Sequence, residues 1–491
     1  MASRAERAAP AVLALLGLLG AAGCQHDAAA PTGCATADDC HATACPAGQL
    51  PVCSRGACGC GPDLAVGNIG RFAAMQVSRG TAYLCAYNSD YGDLMIGRRA
   101  APGVVESWEF VDGVPEDALP TAPRSRVRGG VTDPGDDVGA YCSLAVTAAG
   151  DPVMAAYDAS HHALRFSRFG AVRWQSHTFD APASGAAGDD IGRYTSLTLD
   201  RQGRPGIAYS ATVKKGPGGG PEGQVRFAQA QTPTPASAAD WKVTVIASVP
   251  LPPAPPPDGL PPGAALFVAS DRADDVVVIA WYDRLRGNLM FADSDAQLGT
   301  FHAPRILDGE DALGHDTGDV GWYPSLVAEV GDVGEVTGRV SYVDAARGQL
   351  LYVDTKFTPL APEVADDGYR PGDETTADGL PAPVYHLVGD SSSIQLAPEP
   401  GAPDVVDALI AYQDATTLQL RLARRDPHTR VWTTSAIAGH GSPFAGSYGF
   451  YAQNRVAGNQ AILSSYAIDQ HQDPPRFYVE VFGVALGTVV Q

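Results

Sequence analysis

Gly192-Arg193-Tyr194-Thr195-Ser196-Leu197 recurs in the same register as Gly139-Ala140-Tyr141-Cys142-Ser143-Leu144 and Gly321-Trp322-Tyr323-Pro324-Ser325-Leu326. Each copy sets Tyr two residues after Gly, then Ser-Leu at four and five. Gly389 leads to Ser393-Ile394 in this register, and Gly70 to Ala74-Met75. Weaker openings stand at Ala265-Leu266 and at Gly446-Ser447-Tyr448. A second pattern follows each opening, close to Ile-Ala-Tyr-x-Asp. It reads Ile207-Ala208-Tyr209, Ile279-Ala280-Trp281-Tyr282-Asp283, Val340-Ser341-Tyr342-Val343-Asp344 and Ile410-Ala411-Tyr412-Gln413-Asp414. Met154 to Asp158, Cys85-Ala86-Tyr87 and Ser464-Ser465-Tyr466 are further copies. Alternating apolar residues come next, as in Leu164-Arg165-Phe166, and a fourth segment often opens on an aromatic, as at Trp108, Trp174, Trp241 and Trp432.

Short segments with a two-residue period, separated by turn residues, are β-strands. The units open near 70, 139, 192, 263, 321, 389 and 446. Four strands repeated seven times at this spacing predict an all-β chain, a seven-bladed β-propeller with four-stranded antiparallel blades over 65–491. Such a blade cannot bury both faces alone, and radial stacking covers them. The last unit shows three strands only. The tail Leu486 to Gln491 and the segment Asp63 to Gly67 are the candidates for its missing outer strand, with the tail preferred for its β-branched residues.

Composition excludes several classes. The 491 residues carry 34 Lys+Arg against 55 Asp+Glu, a formal net charge of -21, with 45% hydrophobic residues. That is globular, not disordered, composition. Nucleic-acid partners are excluded because phosphate contacts need clustered basic residues, and there are four lysines. No apolar run after the N-terminus approaches the ~18 residues of a membrane span.

The N-terminus reads as an export signal over 1–23. Arg4 and Arg7 precede a short apolar run ending Leu18-Leu19-Gly20-Ala21-Ala22-Gly23-Cys24. This resembles the bacterial lipoprotein signal. The resemblance implies lipid on Cys24, a membrane partner through that anchor, and, from Gln25, an outer-membrane or cell-surface address. After a linker at 24–33, six cysteines crowd 34–60: Cys34, Cys40, Cys45, Cys53, Cys58 and Cys60. So short a segment cannot bury a core, and three disulfides would hold it, with zinc as the alternative. Its ending C-x4-C-x-C resembles knottin-like and defensin-like modules. The two cysteines outside it, Cys85 and Cys142, are expected to pair across neighbouring blades.

The repeat of 65–491 resembles propeller repeats of secreted and surface-attached bacterial proteins, with Gly203-Arg204-Pro205-Gly206-Ile207-Ala208-Tyr209 its best copy. It is also similar to the sialidase-like propellers, although the Asp-box Ser-x-Asp-x-Gly-x-Thr-Trp does not occur.

Candidate sites all belong to the repeat. Asp137, Asp190 and Asp319 precede first strands, so one face of the disc would carry them, and converging carboxylates hold Ca²⁺. The competing reading, turn capping once per blade, is preferred. The same reading covers Asp158, Asp283, Asp344 and Asp414. The aromatics Tyr87, Tyr209, Trp281, Tyr342, Tyr412 and Tyr466 are placed at one strand position, as core between blades instead of a sugar platform. His161-His162 is read as a solvated turn. No residue is assigned a catalytic role. The expectation is therefore a non-catalytic, lipid-anchored propeller that binds a glycan or protein, or acts as an envelope scaffold. The alternative is a secreted polysaccharide-acting hydrolase or lyase.

Overall fold

The computed structural model describes residues 33–486 apart from short internal stretches, the longest being 115–132 and 253–262. The expected signal segment, Cys24, most of the linker and the tail after Leu486 lie outside the described residues. A hairpin of Gln49–Ser54 and Ala57–Pro62 forms the N-terminal module. Disulfides Cys40–Cys58 and Cys45–Cys60 fasten it. The side chain of Cys53 is not described.

The rest is a seven-bladed propeller of antiparallel four-stranded sheets. The innermost strands are Ile69–Ser78, Val138–Val146, Asp190–Leu199, Ala265–Ala273, Val320–Val330, Val388–Glu399 and Ser447–Ala457. Each packs on the next, and the seventh returns to the first. The described residues contain short 3-10 turns and no α-helix. Apolar clusters lie between adjacent blades. One cluster joins Phe166 of blade 2 to Ile207 and Trp241 of blade 3.

The ring closes by an unexpected route. The outer strand of blade 7 is Gly103–Val104, a short segment between the third and outer strands of blade 1. It pairs Val104 with Glu480 and Gly103 with Val481, and Val105 N–H donates to Val479 O at 2.8 Å. Gly103–Val104 occupies the place expected of the tail, so the preference for the tail is corrected; residues 63–66 and 487–491 lie outside the described residues.

Two registers are also corrected. In blade 7 the residue equivalent to Gly192 is Gly449, three residues beyond Gly446. The strand irregularity that follows Gly192 in blade 3 lies between Phe450 and Gln453 here. The second-strand aromatics occupy two adjacent positions, not one. Tyr87, Tyr157, Tyr282 and Tyr466 sit opposite Arg71, Ala140, Leu266 and Phe450. Ser210, Val343 and Gln413 hold that place in blades 3, 5 and 6, which moves Tyr209, Tyr342 and Tyr412 to the other face of the sheet. The first group reaches toward the following blade: Tyr87 donates to Asp137, Tyr282 to Asp319 and Tyr466 to Asn68, at 2.8–2.9 Å. The second reaches back to the outer strand of the preceding blade. Tyr342 donates to Asp308 at 2.6 Å, Tyr209 to Asp180 and Tyr412 to Asp366.

Candidate functional site at the channel mouth

The recurring glycine begins the construction of the site. Gly192 has φ 107°, and a Cβ there would lie 2.8–3.0 Å from Leu164 of the preceding blade. Only glycine lets the strand approach so closely in that conformation. Immediately afterwards the pairing with the second strand slips in every blade. Such a bulge re-aims a side chain. The re-aimed residues are Phe72, Tyr141, Tyr194, Phe267, Tyr323, Ser391 and Tyr451, all left-handed with φ of 49–55°. A bulky residue at positive φ is an outlier, and here it occurs once in each blade.

These side chains converge on the propeller axis. Ring centroids lie 4.4 Å apart for Phe72–Tyr141, 4.6 Å for Tyr141–Tyr194, 5.1 Å for Tyr194–Phe267 and 4.4 Å for Phe267–Tyr323. Tyr451 meets Phe72 at 5.3 Å. The aromatic ring is open only between Tyr323 and Tyr451, where blade 6 places Ser391. It guards one end of an axial cavity of about 760 Å³.

Two residues further along each inner strand, a second layer faces the cavity, including Ser196, Ser325, Ser393 and Gln453. Their oxygens accept backbone N–H groups of the next blade. Ser196 takes Ser270 N at 2.8 Å, Ser325 takes Ile394 N at 3.0 Å, Ser393 takes Asn454 N at 3.0 Å and Gln453 takes Met75 N at 3.4 Å. The serine of the sequence motif is thus a strap between blades. Two residues deeper the lining turns polar, with Gln76, Thr198, Asp271, Gln395 and Arg455.

Blade 6 breaks the repeat twice. Besides Ser391, it places Asp390 where the other blades carry Arg71, Ala140, Arg193, Leu266, Trp322 and Phe450. Asp390 lines the cavity, and its carboxylate makes no hydrogen bond or ion pair with any described residue. Burial alone pushes it above the ordinary carboxylate value. Its charge in turn helps hold the neighbouring Tyr323 hydroxyl protonated, after burial itself. Across the mouth, Arg193 donates to Asp190 at 2.7 Å and to the Tyr157 hydroxyl at 3.2 Å, with its guanidinium 4.5 Å from the Tyr157 ring centroid. The Tyr157 hydroxyl also meets His162 Nδ1 at 2.9 Å. Arg71 is exposed on the same rim.

The residues singled out from sequence fall elsewhere. Asp137, Asp190 and Asp319 do not come together. They are spent on Tyr87, on Arg193, and on Tyr282 with Trp322. The groups of metal-ligating side chains among the described residues contain none of the three. One such group is Asp136, Asp158 and His161, in which His161 Nδ1 lies 3.0 Å from Asp158. The other is Cys34, Cys40 and Cys58, and Cys40–Cys58 is a disulfide. The second-strand carboxylates cap turns: Asp158 takes His161 N, Asp283 takes Leu285 N, Asp344 takes Arg347 N and Asp414 takes Thr417 N, at 2.9–3.1 Å. Cys85 and Cys142 are joined between blades 1 and 2, beside the cavity. Sequence reasoning missed the aromatic ring and Asp390. The available signal was the one copy in which Gly-x-Tyr becomes Gly389-Asp390-Ser391.

No family model matches the chain, and no curated protein does. Solved structures share the architecture. The polysaccharide lyase Uly1 superposes with a TM-score of 0.44 at 10% identity, over 93% of this chain and 97% of that one. The GH93 α-L-arabinofuranosidase of Fusarium graminearum gives 0.40 at 10%, over 71% and 93%. The NanB sialidase of Streptococcus pneumoniae gives 0.40 at 10%, over 86% and 69%. At this identity the likeness is one of fold. The expected non-catalytic scaffold is nevertheless corrected. It rested on a repeat unbroken by chemistry, whereas Asp390 and Ser391 break it at the channel mouth.

Proposed function

We propose that the chain is a carbohydrate-active enzyme that cleaves a polysaccharide at the mouth of its axial channel. The observation that carries this reading is the pairing of an aromatic ring with one carboxylate, Asp390, that lines the same cavity beside the gap and has no partner among the described residues. Aromatic faces suit the apolar faces of sugar rings, and the left-handed bulges fix them before any ligand arrives, which lowers the ordering cost of binding. The cavity volume falls in the range of small-ligand sites. A carboxyl raised by burial holds its proton more readily than a free one, as an acid–base group must. Asp390 is the proton-transferring group in this reading. Tyr141, Tyr194 and Tyr323 orient the sugar, and Arg193 with Tyr157 supplies donors on the rim.

The test is a panel of plant and microbial polysaccharides incubated with the full chain, scored for new reducing ends and for unsaturated ends. Hydrolysis gives only the former, and elimination gives both. Asp390→Asn should lower the rate by at least about 100-fold, the scale of a lost acid–base group. Undiminished cleavage by Asp390→Asn, or no cleavage of any polymer by the wild type, contradicts the proposal.

A further inference from the structure

The channel runs from its aromatic mouth to a polar inner layer, called its floor below. Arg455 lies four residues beyond Tyr451 on the inner strand of blade 7, about 13 Å deeper at the rise of a β-strand. It lines the same cavity as the aromatic ring. Its Nε donates to Gln76 Oε1 at 3.1 Å and its Nη1 to Asn454 O at 2.6 Å. Its Nη2 makes no hydrogen bond with any described residue, and no carboxylate of a described residue lies within ion-pair distance. The carboxylate that it feels is Asp271 of blade 4, across the channel, and Asp271 Oδ2 is already taken by Ala328 N at 2.8 Å. Gln395 and Gln453 line the same cavity and offer further amides.

Arg455 is half-buried in the cavity wall, and a guanidinium partly withdrawn from water without a carboxylate partner carries a cost. Arg455 is buried enough that its pKa falls to about 10, and burial raises Asp271 above the ordinary value, so the pair does not neutralise itself well. The cost is offset when a ligand supplies the missing acceptor. We infer that the channel floor is an oxyanion subsite in which Arg455 holds a carboxylate or sulfate of the saccharide, so that the substrate class is an acidic polysaccharide entering by its chain end. This rests on the saccharide reading above and adds to it the charge of the substrate and the polarity of entry. The formal charge of -21 does not oppose it at contact. Surface charge is screened within about 8 Å at physiological salt, whereas Arg455 acts inside the cavity.

The experiment is calorimetric titration of the full chain with glucuronate, a sulfated glucose and glucose. At least one acidic sugar should bind tenfold or more tightly than glucose, and the two acidic arms tell carboxylate from sulfate. Arg455→Met should lower the affinity of the preferred acid at least tenfold and leave that of glucose unchanged. Arg455→Lys, which keeps the charge, should recover part of the loss, a result that a merely structural arginine would not give. Its melting profile serves as the control if Arg455→Met fails to fold. Equal binding of acidic and neutral sugars, no binding of either acid, or an unchanged preference in both variants overturns the inference. Acid preference without cleavage of any polymer would sink the catalytic reading alone. Cleavage restricted to neutral polymers would sink this inference alone.

Discussion

Asp390 carries two opposing consequences, one for chemistry and one for stability. Its folded pKa is raised above the ordinary 3.8 by burial. Well below that ordinary value both folded and unfolded states hold the proton, and the burial has no electrostatic cost. As pH rises through that ordinary value the unfolded state loses its proton first, and the native state is progressively disfavoured until the raised folded value is passed, above which the cost is constant. Asp390→Asn removes this cost. The variant should therefore melt higher than wild type at neutral pH, and the difference should shrink to nothing in acid. Scanning calorimetry across that range checks it, and a variant less stable than wild type at neutral pH would refute the assigned burial. A stability gain joined to a loss of activity is the usual mark of a functional residue. At this scale the sequence was partly readable. The motif fixed Gly192, Tyr194 and Ser196 as repeated positions, because their spacing never varies among the clear copies. It did not show that Tyr194 is left-handed, since φ leaves no mark on composition. Nor did it show Ser196 bonding the next blade, since that contact joins residues 74 apart.

Long strands with a recurring motif were legible, and short strands without one were not. The inner and second strands run for seven or more residues, and the second strands are buried on both faces, so their apolar motif survives in the sequence. Gly103–Val104 is two residues long and lies inside a connection. Nothing periodic marks it, and its role as the closing strand of blade 7 depends on a partner some 375 residues away. The slip among the second-strand tyrosines has the same origin. Moving an aromatic by one position keeps the composition and reverses its face, so Tyr209 and Tyr87 look alike in sequence and serve opposite neighbours. The closing strand makes a direct prediction. Val105→Pro removes the N–H that bonds Val479 O and disturbs a buried side chain. It should cost about 3 kcal/mol or more, seen as a lower melting temperature of the whole propeller. An unchanged melting temperature would show that blade 7 is closed by another part of the chain.

Across the whole molecule, seven near-identical blades make an axial cavity whose wall is regular except in blade 6. The regular part is structural. Glycines seat six of the seven blades on the last, serines of blades 3, 5 and 6 strap each to the next, and the Cys85–Cys142 disulfide joins blades 1 and 2 at the cavity wall. The irregular part combines Asp390 with the gap at Ser391, above the floor at Arg455. Repetition made the architecture readable and hid the site, because a site on a propeller is where one copy departs from the others. The most direct measurement is a crystal structure of the Asp390→Asn protein soaked with an oligosaccharide from the polymer that the wild type cleaves. A sugar ring should lie in the channel mouth against Tyr141, Tyr194 or Tyr323, with an oxygen within hydrogen-bond distance of Asn at position 390. An oligosaccharide bound only on the outer face of the blades, with the channel mouth empty, would contradict the placement of the active site on the propeller axis.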